Sequence, residues 1–154
     1  MLESPHITDV PERLAAVISL TVPASEIRNV MGPAIGEVMA TVAAQGIVPA
    51  GPWFTYHHRV PTDTFDFEVG VPVASEVKPA GRVRPGRLPA ATVARAVYVG
   101  PYEGLGAGWG EFVAWIAAQG RVPAGNLWEC YAVGPESGPD PSKWRTELYR
   151  PLRT

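Results

Sequence analysis

Three glutamates stand in β-prone runs beside aromatic residues: Glu68 in TFDFEVGV, Glu129 in LWECYAV and Glu147 in RTELYRP. Neighbours along a strand point to opposite faces, so Glu129 shares a face with Tyr131, and Glu147 shares one with Tyr149. A carboxylate among rings is a seat for a cationic or amine-bearing aromatic ligand, because ring faces and the carboxylate both attract positive charge. A lone glutamate on an outer strand face is ordinarily just hydrated, and the aromatic company is what favours a pocket. Other chemistry finds less support. His57 and His58 are adjacent and point apart, with His6 far away in a terminal segment, so no metal site is expected. Cys130 is the only cysteine, which excludes an internal disulfide and a cysteine-based zinc cluster; on the predicted core side it acts as a small hydrophobe. No nucleophile elbow is present. Gly104, Gly106, Gly108 and Gly110 lack the Lys-Ser/Thr of a phosphate loop and read as a loosely wound helix start.

The elements that must position these residues are written twice. Sliding the chain by 74 positions sets Met31–Gly51 on Leu105–Gly125 with 12 of 21 positions identical, which marks a repeated supersecondary unit. Met31, Ile35, Val38 and Val42 answer to Leu105, Trp109, Phe112 and Ile116, each set on one helical stripe. Trp109, Trp115, Phe112 and Met39 are accordingly read as core. Gly46 or Gly120 ends each predicted helix, and the turn VPAG follows both times.

β-prone runs precede each helix at Leu14–Val22 and Thr92–Val99. Two more follow each turn, Trp53–Arg59 with Phe65–Val73 and Leu127–Val133 with Arg145–Leu152. The chain is thus expected to be one domain over 1–154, with half one at about 14–73, a Pro/Gly-rich linker at 74–89 and half two at about 90–152. Gly134–Ser142 reads as a hairpin loop. The predicted class is α+β: a pseudo-two-fold duplication of β-α-β-β, six strands in all, both helices on one face of the sheet and a ligand groove between the halves.

Strand parity then distributes the side chains. Phe54, Tyr56 and His58 pair by the offset with Trp128, Cys130 and Ala132, a mostly apolar set assigned to the helices. The face away from the helices is expected to carry Trp53, Thr55 and His57 with Leu127, Glu129 and Tyr131. Phe65, Phe67, Val69 and Val71 suit the core, which places Glu68, Glu147 and Tyr149 beside Glu129 on the open face. The candidate binding residues are therefore Glu129, Trp53, Tyr131, Glu68, Glu147, Tyr149 and His57.

Bulk properties narrow the partners. At 154 residues, 46% hydrophobic and 18% charged, with a net charge of −2, the chain can build a core without staples and carries no footprint for nucleic acid. Arg82, Arg84 and Arg87 form the only basic cluster and read as solvated linker. No signal peptide and no membrane-length apolar run are visible, so a cytoplasmic protein is expected.

The motifs TFDFEVGVPV (Thr64–Val73), YVGPYEGL (Tyr98–Leu105), AQG-x-VPAG after each helix, LWECYAV and RTELYRPL (Arg145–Leu152) carry a family likeness. The chain resembles, from about Leu14 to its end, the GyrI-like small-molecule-binding domains that also serve as effector-binding modules of AraC- and MerR-type multidrug-sensing regulators. The resemblance implies two β-α-β-β halves around a ligand groove, with Glu129 as the acidic centre and Glu147 as a second recurrent acidic position. It implies no cofactor. About thirteen residues precede the first predicted strand, with no helix-turn-helix among them, so a stand-alone module without direct nucleic acid binding is expected. The resemblance implies a hydrophobic, often cationic, small-molecule ligand that is sensed or sequestered, with a separate regulatory or target protein as a second partner. It leaves two alternatives open. One is a hydrolase opening cyclopropane-bearing DNA-alkylating natural products, with Glu129 and Tyr131, or Glu147 and Tyr149, in general acid-base roles. The other is a protein inhibitor of DNA gyrase.

Overall fold

A computed structural model describes residues 1–153. Its elements run β1 (Leu2–Val10), β2 (Arg13–Pro23), α1 (Ile27–Ala44), β3 (Phe54–His57), β4 (Thr64–Pro72), β5 (Arg84–Leu88), β6 (Ala91–Val99), α2 (Leu105–Ala118), β7 (Leu127–Val133) and β8 (Arg145–Pro151). The strands form one antiparallel sheet in the order β1-β6-β8-β7-β3-β4-β2-β5. That order reads the same from both edges when the halves are exchanged: β2, β3, β4 and β5 map onto β6, β7, β8 and β1. Register alone locates the pseudo-two-fold axis. Thr55 pairs directly with Glu129, and these are the residues that the 74-residue offset equates.

Each helix buries the C-terminal part of the stripe that its periodicity marks, Val38 and Val42 in α1 and Phe112 and Ile116 in α2, together with Ala34 and Gly108; Met31, Ile35, Leu105 and Trp109 are half-buried. Gly46 (φ +67°) and Gly120 (φ +72°) end them in the left-handed region, which costs glycine least. Gly108 has a packing reason of its own, since a Cβ there would meet the Tyr98 ring at 2.8 Å. The two VPAG turns return identically, Ala50 N–H donating to the Pro72 carbonyl and Ala124 N–H to that of Pro151, both at 2.8 Å.

Two strands exceed the sequence expectation of six. The stretch 74–89 holds β5, and Val77 and Val83 within it are buried in the core. Pro85 and Gly86 are tolerated because β5 is an edge strand, paired on one side only, with β2. The polar β1 is the opposite edge and pairs with β6. Each edge strand thus precedes one half in sequence and completes the sheet of the other.

The faces of β3 and β7 are also the reverse of the expectation. Val69, Thr55, Glu129 and Leu148 lie in one cross-strand row. Val69 packs with Val38 and Val42 of α1, and Leu148 with Phe112 and Ile116 of α2. Both helices therefore cover one face, as expected, but Glu129 and its neighbours are on it. Phe54, Trp128 and Cys130 point away from the helices into a second core with Val17, Leu88 and Val93. Those partners come from both sides of the sheet, so the sheet curls over its own centre. With both faces of the central strands buried, apolarity does not identify the helix side.

Candidate ligand-binding site

Over the axis, on the helix side of the sheet, residues of α1 and α2 line a common space. A cavity of about 930 Å³ lies there, near the top of the ~300–1,000 Å³ range of small-molecule sites. Its floor comes from β3, β4 and β7 and from Trp53 just before β3, and includes Thr55, His57, Phe67, Leu127 and Tyr131. Its walls are Ile27 and Met31 at the start of α1 and Leu105, Trp109 and Val113 of α2. Gly106 and Gly110 line the same wall, where an added Cβ would meet nothing within 4 Å.

Glu129 is the one acidic side chain lining the cavity among the described residues. Both of its oxygens accept hydrogen bonds: Trp109 Nε1–H donates to Oε2 at 2.6 Å and the Tyr131 hydroxyl to Oε1 at 2.7 Å. The second bond gives a direction to a longer chain. Since the Tyr131 proton points at Glu129, the Thr55 hydroxyl donates to Tyr131 (2.7 Å), and His57 Nε2–H donates to Thr55 Oγ1 (3.2 Å). Every proton along His57, Thr55 and Tyr131 is aimed at the carboxylate, and His57 Nδ1 is left as a buried acceptor with no partner.

The electrostatics follow from burial. Desolvation pushes the Glu129 carboxyl above its ordinary value, against the pull of the two hydrogen bonds. Burial, and secondly the facing Glu129 charge, push the Tyr131 hydroxyl far up. Burial and the neighbouring His58 depress His57 to about 4, so it is a neutral donor at physiological pH. Around this chain the surface is aromatic: Trp53 lies 4.2 Å from Tyr131 between ring centroids, and His57 stacks on Phe67 at 5.3 Å.

Of the sequence candidates, Glu129, Tyr131, Trp53 and His57 line this cavity. Glu68, Glu147 and Tyr149 do not join them, because they occupy the opposite face of the sheet. There Glu147 pairs with Arg95 (3.1 Å) and accepts from the Tyr149 hydroxyl (3.0 Å), while Tyr149 stacks on Trp128 at 5.2 Å. Glu68 faces His58 at 3.5 Å. A cleft containing Glu129 together with any of these three was expected and is not formed. Cys130 also lies on that far side, its thiol pushed up to about 12, chiefly by burial. Trp144 anchors the β7–β8 loop, donating to the Gly138 carbonyl at 3.3 Å.

Three of the cavity residues outside the sequence candidates bear on its chemistry. Trp109 was assigned to core packing because it lies on the helical stripe, yet it is the residue on that stripe that tilts off the sheet toward Glu129. Thr55 is placed on the right strand face by parity but, as a neutral hydroxyl, is not among the candidate binding residues. Arg150 is 7% exposed and lines the cavity; its parity with Thr146 and Leu148, both fully buried, was the available signal. Among the described residues no group of three or more His, Cys, Asp or Glu side chains is placed to hold a metal, and no helix is long and apolar enough to cross a membrane.

A duplicated α+β domain with a single carboxylate at the base of a large aromatic cavity is a small-molecule-binding domain in its architecture. The model of the GyrI-like small molecule binding domain family matches residues 3–153, and the chain belongs to that family. Searching curated protein sequences finds no match. Among solved structures the chain is similar to the EcmrR C-terminal domain at 22% identity and a TM-score of 0.85, covering 98% of each chain. Against EcmrR in its complex with DNA the TM-score is 0.83 at 22% identity, covering 98% of this chain; this chain spans 57% of that one. SAV2435, solved bound to tetraphenylphosphonium, is similar at 10% identity and a TM-score of 0.64, covering 98% of this chain and 94% of that one. A hydrolase from Listeria innocua is similar at 14% identity and a TM-score of 0.65, covering 97% and 91%.

Proposed function

We propose that this protein binds a hydrophobic cationic small molecule in the cavity over the pseudo-two-fold axis, sequestering or sensing it, with Glu129 as the counter-charge. One observation carries the reading: a single carboxylate, already held by two donors, faces a cavity walled mostly by rings and aliphatic groups, with Arg28 and Arg150 as the other charged side chains lining it. The donors fix the carboxylate in place without neutralising it, and the rings offer their negative faces to the same cation. Tetraphenylphosphonium, the ligand bound to SAV2435, has the chemistry that such a cavity accepts.

The test is calorimetric titration at pH 7.5 with tetraphenylphosphonium and with triphenylphosphine oxide, a neutral compound of similar bulk. Glu129→Gln is expected to weaken the cation by about 10- to 100-fold, the worth of one charge-assisted contact, and to change the neutral compound less than about twofold by the same reasoning. Equal losses for both compounds would refute the charge-based reading. The Glu129–Tyr131 contact also has the ingredients of an acid-base pair. Multiple turnovers of a cyclopropane-bearing alkylating compound, with rate lost in Tyr131→Phe, would replace binding by hydrolysis; stoichiometric loss at most is expected.

A further inference from the structure

Arg150 is a charged side chain more than nine-tenths buried on the cavity wall, and it has no ion-pair partner among the described residues. Its Nε donates to the Ala124 carbonyl at 3.0 Å, which leaves the four Nη hydrogens unused. The loop does not explain the residue. In the other half the equivalent carbonyl, Ala50, is satisfied by Arg13 from β2, and Val71, the residue equivalent to Arg150, packs in the core. Nor does Glu129 neutralise it. Leu148 pairs with Glu129, and Arg150 follows two residues later on the same face, so the two charges are diagonal neighbours about 7–8 Å apart at the backbone. Glu129 spends its oxygens on Trp109 and Tyr131 instead. The cavity therefore presents a negative pole and a buried positive pole as neighbours, with the exposed Arg28 also lining it.

We infer that the ligand is bipolar: a hydrophobic cation that also carries a carboxylate or similar oxyanion, taken by the Arg150 fork while the cationic centre sits over Glu129. The cationic pole rests on the function proposed above; the anionic pole rests on Arg150 alone. A guanidinium offers two parallel N–H groups in the geometry of a carboxylate, and with Arg150 buried such a pair is stronger than at the surface.

The experiment compares (4-carboxybutyl)triphenylphosphonium with its methyl ester by calorimetry at pH 7.5. The wild-type protein is expected to bind the acid about tenfold tighter than the ester, as one charge-assisted hydrogen-bonded contact allows. Arg150→Met is expected to abolish that preference while holding the ester at least as tightly, because a repelling charge is gone. Arg150→Gln, which can still donate to the Ala124 carbonyl, serves if the methionine variant does not fold. Equal affinity of the wild type for acid and ester, or a preference that survives both substitutions, overturns the inference. Failure of the wild type to bind the ester would sink the cation reading instead. An anionic aromatic probe without a cation, 8-anilinonaphthalene-1-sulfonate, then decides on Arg150. Binding lost in Arg150→Gln but kept in Glu129→Gln supports the anionic pole, and equal binding to both variants refutes it.

Discussion

Replacing Glu129 by Gln is expected to stabilise the ligand-free protein at neutral pH even as it weakens cation binding. The native carboxyl titrates above its ordinary value of 4.5 because burial outweighs its hydrogen bonds. Below the ordinary range both folded and unfolded chains hold the proton, and Glu129 costs nothing. As pH rises through that range the unfolded chain releases its proton first, so wild-type stability declines until the raised native value is passed and then levels off. Glutamine does not titrate. It also keeps the hydrogen bonds: its carbonyl accepts from Trp109 and its amide donates to Tyr131, which turns the chain around so that Tyr131 donates to Thr55 and Thr55 to His57 Nε2. The gain is the relief of one partly desolvated charge, about 1–2 kcal/mol after the cost of an unpaired His57 Nδ1–H. For a chain of this length that corresponds to about 2–8 °C in Tm. Urea unfolding of both proteins between pH 4 and 8 reads the difference, and 15N NMR of His57 reads the change of protonated ring nitrogen. A variant no more stable than the wild type at pH 7.5, or a gap that does not vary with pH, would refute the reasoning.

Glu68→Gln and Glu147→Gln are expected to leave cation affinity within about twofold of wild type by the same calorimetry, since a sheet lies between them and the cavity and contacts at that range are screened. Gly110→Leu is expected to fold normally, because its Cβ position is open and helix propensity improves by up to about 1 kcal/mol. It is expected to exclude tetraphenylphosphonium while retaining phenyltrimethylammonium. His57 has its native pKa depressed from 6.5 to about 4, so wild-type stability falls as pH drops through that window, by up to ~3 kcal/mol. His57→Gln is expected to flatten that acid limb in denaturation curves.

Much of this architecture was legible because it was written twice. The helical stripes, the glycines that end them and the strand after each VPAG turn could all be checked against a second copy. β1 and β5 were not legible, because edge strands pair on one side only and tolerate the Pro, Gly and charged residues that otherwise signal a loop. Parity puts Glu129, Tyr131, Trp53 and His57 together, and all four line one cavity, since parity is a local property of one strand. Which side of the sheet they faced depended on curvature: Phe54 and Trp128 are buried as deeply on the far side as Phe67 is under α1. Arg150 escaped notice because an arginine near a chain end is ordinarily read as exposed, and only its alternation with Thr146 and Leu148 argued otherwise.

The exchange of edge strands means that neither repeat is finished without the other. A single repeat expressed by itself can complete its sheet only by lending its first strand to a second copy, as a domain-swapped homodimer. In such a dimer symmetry is strict, and positions 55 and 129 become the same residue facing itself across the axis. Two threonines would leave the cavity without a carboxylate, and two glutamates in direct cross-strand opposition would repel. Fusion of the copies into one gene lifts that constraint: one position becomes Glu129, and its partner Thr55 becomes the hydroxyl that orients Tyr131 toward it. A molecule with two like halves thereby holds one carboxylate, not zero or two, at the centre of its symmetry.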